Sequence, residues 1–212
     1  MRGWLEKTPN AQVYNYYGCF AAAPFFERPI WDRIQSDLQM YAANGFNGLV
    51  PEGEGDVSDS SSGWAMDSIS NDVRAPYYVR ENSWNMNAMT YWLYSKLAWN
   101  PNEDVDVLIR YYCEKVYGDA ADEMMEYYRV VEKTWDEGRV LMSEEYNYYY
   151  YYKAPFITYW LYFFDVELDE GYALDLLRDA LHKAYDAADD TVKERLKYKV
   201  EVIDRAEELF LD

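Results

Sequence analysis

One histidine, His182, and two cysteines, Cys19 and Cys113, are all that 212 residues offer of the softer metal ligands. A zinc site of ordinary spacing draws on several such residues, so none is expected. Two cysteines build no disulfide framework, and their separation does not say whether they pair. No glycine-rich phosphate loop appears, and no cofactor is expected. Asp56, Asp59 and the serines near them offer oxygens, yet lack the spaced ligands and closing glutamate of a calcium loop. Positive charge is scarce: 20 Lys and Arg stand against 39 Asp and Glu, a net charge of −19. That balance argues against a nucleic-acid backbone or an anionic membrane surface as partner. No apolar run approaches the roughly 20 residues that cross a bilayer; the most apolar stretch, 154–164, is too short. No basic start followed by an apolar block marks a signal peptide, so the chain as it stands is expected to be soluble and cytoplasmic.

Aromatic residues are what the chain has in excess: 24 tyrosines and 8 tryptophans lift Phe, Trp and Tyr to 19%. Such rings either fill a core or form a surface that stacks on sugar rings. Most fall at helical spacing, which favours the core. The acidic excess serves solubility. A sharper alternative is an inhibitor that mimics nucleic acid, but the acids are interleaved with Lys and Arg along helices.

The β-forming run 11–20 (AQVYNYYGCF) predicts a strand. Ile30, Ile34, Leu38 and Tyr41 then recur at helical period, and Asn44-Gly45 reads as the stop. The run 46–51 (FNGLVP) predicts a second strand, so the first fifty residues read as strand, helix, strand. Residues 52–76 are rich in Gly, Ser and Asp and form a long loop, of the kind usually functional or disordered. Helices follow. Met86, Met89, Leu93 and Leu97 form a core stripe over 83–99, closed by Pro101. Asn102 is expected to cap the next helix, with Val105, Leu108, Ile109, Tyr112 and Val116 inward and Gly118 as its stop. Asp119 is expected to open another helix, through Met124, Tyr128, Val131 and Trp135. Two more are predicted over 171–188 and 191–211, jointed at Asp189-Asp190. His182 sits in the first of these among charged neighbours and is expected to be exposed. The tyrosine run 146–152 reads either as an extended segment or as a helix end broken at Pro155.

The stretch 89–136 carries an ordered set of motifs: Trp92 to Lys96, then Leu97, Trp99, Asn100 and Pro101, then Asp104 to Asp106, then Tyr117 to Ala121. On these residues the chain resembles the DUF4838 family, which is glycoside-hydrolase-like and related in fold to α-glucuronidases and β-hexosaminidases. Trp4, the strand around Tyr14 to Tyr17, and Asp37-x-x-x-Tyr41 before Gly45-Phe46-Asn47-Gly48 also look like that family. The resemblance spans nearly the whole chain and maps to the last part of the family's length. It implies a mostly α fold with a small β part: the last strand–helix–strand section of a (β/α)8 barrel over 1–100, then an α-helical bundle over 101–212. It also implies that the loop after Pro51 sits on a sugar-binding face.

Glycoside hydrolysis ordinarily needs two opposed carboxyl groups, drawn in barrels from the ends of different strands. Glu52, Glu54 and Asp56 follow the second strand, with Glu52 and Glu54 the catalytic candidates and Asp56 a candidate for sugar hydroxyls. Tyr16, Tyr17 and Trp64 are candidates for an aromatic platform, although alternate strand residues such as Tyr16 or Tyr17 also serve a core. Two strand ends make an incomplete site. The expectation is therefore a carbohydrate-active protein that is not catalytically self-sufficient. Its partners would be a carbohydrate, and another chain or a second copy covering exposed strand edges. The alternative is a non-catalytic sugar-binding module or acidic inhibitor.

Overall fold

A computed structural model describes residues 2–8, 10–17, 29–52, 80–141 and 166–210. Within them the chain is mostly helical with a small β part, as the sequence predicts. A short helix, α1 (Arg2–Leu5), precedes β1 (Gln12–Tyr16), α2 (Trp31–Ala43) and β2 (Gly48–Glu52). The two strands pair in parallel, from Gln12 opposite Gly48 to Tyr16 opposite Glu52. Parallel neighbours need a crossover, and α2 supplies it. The strand–helix–strand reading holds. The loop 53–76 and the tyrosine run 146–152 lie outside the described residues.

The apolar period of α2 buries Ile34, Leu38 and Tyr41, together with Trp31. Its end is built by the sequence Asn44-Gly45-Phe46. Gly45 takes φ +81°, a left-handed turn that costs a Cβ-bearing residue energy. Its N–H donates to the Ala42 carbonyl at 3.1 Å, and that of Phe46 reaches back to Tyr41 at 3.1 Å. The Phe46 ring then meets Tyr41 edge-on, centroids 6.0 Å apart, the apolar contact that accompanies this stop.

Helix α3 (Arg80–Trp99) buries Met86, Met89, Leu93 and Leu97, and ends two residues before Pro101. The next helix, α4, runs Val105–Val116, and its cap is Asp104 rather than Asn102. Asp104 is extended at φ −77°, ψ 123°, and its carboxylate accepts from the Val107 N–H at 3.0 Å. Asn102 is spent in the turn, donating its own N–H to the Asn100 side chain at 3.2 Å. Asp119 does not open the following helix directly: Gly118–Ala120 form a 3-10 turn, and α5 spans Ala121–Leu141. Among the described residues, a hairpin with two residues per strand, absent from the sequence reading, follows: β3 (Glu167–Leu168) against β4 (Gly171–Tyr172). Gly171 and Tyr172 thus belong to a strand, and α6 begins at Ala173, running to Ala187. The last predicted helix is broken: α7 covers Asp190–Asp204 and α8 Ala206–Phe210. Arg205 stands between them at φ −98°, ψ 10°, and forks onto Glu208 at 2.9 Å from two nitrogens.

One cluster of buried side chains runs from Ile30 to Ala206. Helix α3 is central, touching α2, α4 and α7, while α5 packs on α4 and α6. Part of the aromatic excess is spent here, in Trp31, Tyr112, Tyr117, Tyr127, Tyr128 and Trp135. Three of these rings pair their polar atoms inside the core: the Trp31 indole N–H donates to the Thr90 hydroxyl at 2.9 Å, and the Tyr117 and Tyr128 hydroxyls meet at 3.2 Å. Lys199 of α7 is 2% exposed. Its ammonium donates to the Met86 carbonyl of α3 at 2.8 Å, with the Tyr127 and Tyr128 rings 5.6 and 5.9 Å away. A buried cation is costly without such partners, and the carbonyl and ring faces supply them.

Candidate functional site

Where parallel strands are joined by helices, ligands collect beyond the carboxyl ends of the strands. Here those ends are Tyr16 and Glu52, the last partners in the register. Their backbones fix the place; their side chains, and Glu54, Asp56 and Trp64 altogether, lie outside the described residues.

Behind these ends the strands divide by face. Val13 and Leu49, opposite each other, pack toward the helices. Tyr14 and Val50, the next pair, point the other way and are 56% and 45% exposed. Tyr17, just past β1, turns to the helix side and is half-buried. Its ring lies 5.7 Å from Tyr94 of α3, and its hydroxyl donates to Asp37 of α2 at 3.1 Å. The same carboxylate oxygen accepts from the Asn15 amide at 3.2 Å, and Asn15 also donates to the Tyr41 hydroxyl at 3.2 Å. Arg33, one helical turn before Asp37, stands 3.7 Å from that oxygen. Burial first, then the charge of Asp37, push both the Tyr17 and the Tyr41 phenols up. They therefore stay protonated, Tyr17 donating to Asp37 and Tyr41 accepting from Asn15. The arrangement is a brace that ties the end of β1 to α2.

Asn15 and Arg33 were not singled out by sequence, Asp37 entered only through the family resemblance, and Tyr41 was read as part of the apolar stripe of α2 as well. Signals existed. Asn15 is polar on the strand face shared with Val13, and Arg33, Asp37 and Tyr41 recur at four-residue spacing beside the apolar stripe.

Two other charged places fall outside this site. Glu132 of α5 is pushed up to about 6 by burial and by Asp32, Asp136 and Asp106, where the first turns of α2 and α4 approach it. Among the described residues no group of three or more His, Cys, Asp or Glu is placed to hold a metal. His182 is exposed, as expected, with its Nε2 2.8 Å from Asp204, whose carboxylate also lies 3.8 Å from Arg178.

A family model described as a domain of unknown function, DUF4838, matches residues 1–129. The chain belongs to the DUF4838 family. In this DUF4838 member the matched stretch holds β1, α2, β2, the Asp37 brace, α3 and α4, and it ends inside α5. Helices α6, α7 and α8 lie beyond it. No curated protein and no solved structure matches the chain.

Proposed function

We propose that this chain is carbohydrate-active, with β1 and β2 as neighbouring strands of a (β/α)8 barrel and the sugar met at their carboxyl ends. Residues 1–100 would form the barrel part and 101–212 the helical domain. One observation carries the reading: the parallel pair is packed on its helix side yet leaves Tyr14 and Val50 in solvent on the other. A barrel strand has two covered faces, one toward the helices and one toward the interior. Two strands of such a barrel leave this pattern, with the interior face completed by further strands or by a partner chain.

On this reading Glu52 and Glu54 lie at one flank of the site, and Asp56, Tyr16 and Trp64 contact sugar. Hydrolysis needs a second carboxyl group across the glycosidic bond, about 5–5.5 Å away for retention or 6.5–9.5 Å for inversion. Two strand ends supply one flank, so the chain alone binds and does not turn over. The test is a glycan array followed by calorimetry on the best ligand. Wild type should bind while releasing no aryl glycoside, and Glu52→Gln should weaken binding about tenfold or more, as expected for a charge-assisted hydrogen bond. A chain that bound no glycan, or a Glu52→Gln variant that bound as wild type does, would refute the assignment.

A further inference from the structure

We infer that the groove between α2, the start of β2 and the end of α3 is a site for a small organic cation of the quaternary-ammonium class. The groove is open to solvent on one side and offers about 490 Å3, within the roughly 300–1,000 Å3 of small-molecule sites. Four aromatic residues line it: Tyr41 from α2, Phe46 from the turn after it, and Tyr94 and Trp99 from α3. Asn47 also contributes, and no Lys, Arg, Asp or Glu is among the lining residues.

Helix termination and the core account for two of the rings, since Tyr41 and Phe46 form the contact that closes α2. Packing does not account for Trp99. It is the last residue of α3 and 92% exposed, an indole held in water at the rim of a ring-lined groove. A single exposed apolar residue is ordinary, but this one adjoins three further aromatic residues lining the same groove.

The chemistry of the lining selects the ligand. Aromatic faces carry negative electrostatic potential and attract a cation without a formal counter-charge. A quaternary ammonium has no N–H to satisfy, so a lining of rings without a carboxylate suits it better than it suits a primary amine. An anion would find no basic side chain in the groove. It would also approach a molecule of net charge −19, a field that instead concentrates cations. This inference is independent of the sugar reading. Gly48 begins β2 and Glu52 ends it, so the groove sits about 13 Å of strand from the carboxyl ends.

Calorimetry on the full chain decides it, with choline chloride compared against 3,3-dimethyl-1-butanol, which has the same shape with carbon in place of the charged nitrogen. Ionic strength is held constant with sodium chloride. Choline is expected to bind saturably at one site, and the neutral analogue several-fold more weakly. Trp99→Ala should weaken choline about 2- to 30-fold, with Trp99→Phe recovering much of the loss. Tyr94→Leu should weaken it too, and gives a second reading should Trp99→Ala fail to fold by circular dichroism. The inference is overturned by any of three results: no saturable choline binding, equal binding of the neutral analogue, or full affinity in the folded ring variants.

Discussion

At Glu132, burial and three neighbouring carboxylates raise the carboxyl group from its usual 4.5 to about 6. The folded state therefore holds this proton more tightly than the unfolded one. The stability linked to it is full below about pH 4.5 and is lost as pH rises through about 6. Discounted for partial exposure, roughly 1 kcal/mol is involved. Glu132→Gln is thus expected to be more stable than wild type at pH 7 and no different at pH 4. Urea titrations at the two pH values check this, and equal midpoints at pH 7 would contradict it. Lys199 offers a second residue-scale test. Lys199→Ala leaves a hole beneath Tyr127 and Tyr128 and should cost about 3 kcal/mol. Lys199→Met keeps the stem and gives up the charge and its bond to the Met86 carbonyl, for about 1 kcal/mol. A methionine variant as unstable as the alanine one would mean that charge, not volume, dominates there.

Among the elements, α4 and α7 start on carboxylates, Asp104 bonded to the Val107 N–H and Asp189 to the Val192 N–H. Each replaced by alanine should lose about 1 kcal/mol, measured by thermal unfolding. Asn102→Ala, at the position sequence favoured, should lose clearly less, because its side chain takes no part in the cap. The long helices were legible because a stripe at three- and four-residue spacing, such as Met86, Met89, Leu93 and Leu97, has one structural meaning. Cap positions were less so: Asn102 and Asp104 are both good capping types, and only backbone torsions choose between them. The β3–β4 hairpin has two residues per strand, too few for alternation to show. The break at Arg205 carries neither proline nor glycine. Of the candidate site, the two strands followed from pattern but their ends did not: the runs 11–20 and 46–51 give no sign that β1 ends at Tyr16 and β2 at Glu52. The Asp37 brace did not follow either, because Asn15 and Tyr17 meet it across 22 and 20 positions of chain. Pattern does not report such distant hydrogen bonds.

Over the whole molecule one connected core joins the strand–helix–strand unit to the bundle, with α3 in contact on both sides. Unfolding is expected to be a single transition, superimposable by far-UV dichroism and by tryptophan fluorescence. Leu93→Ala, at a fully buried position of α3, should lower stability by about 2–5 kcal/mol and shift both signals together. Separated transitions would show that the core divides into independent units. The tie between Lys199 and Met86 spans 113 positions. Synthesis runs from the amino end, so a nascent chain that has already emitted α2, α3 and α4 still lacks the side chain that fills the space beside Met86. Until α7 follows, that flank of α3 has no lining from it, and a chaperone that binds exposed apolar helix would find its opening in that interval.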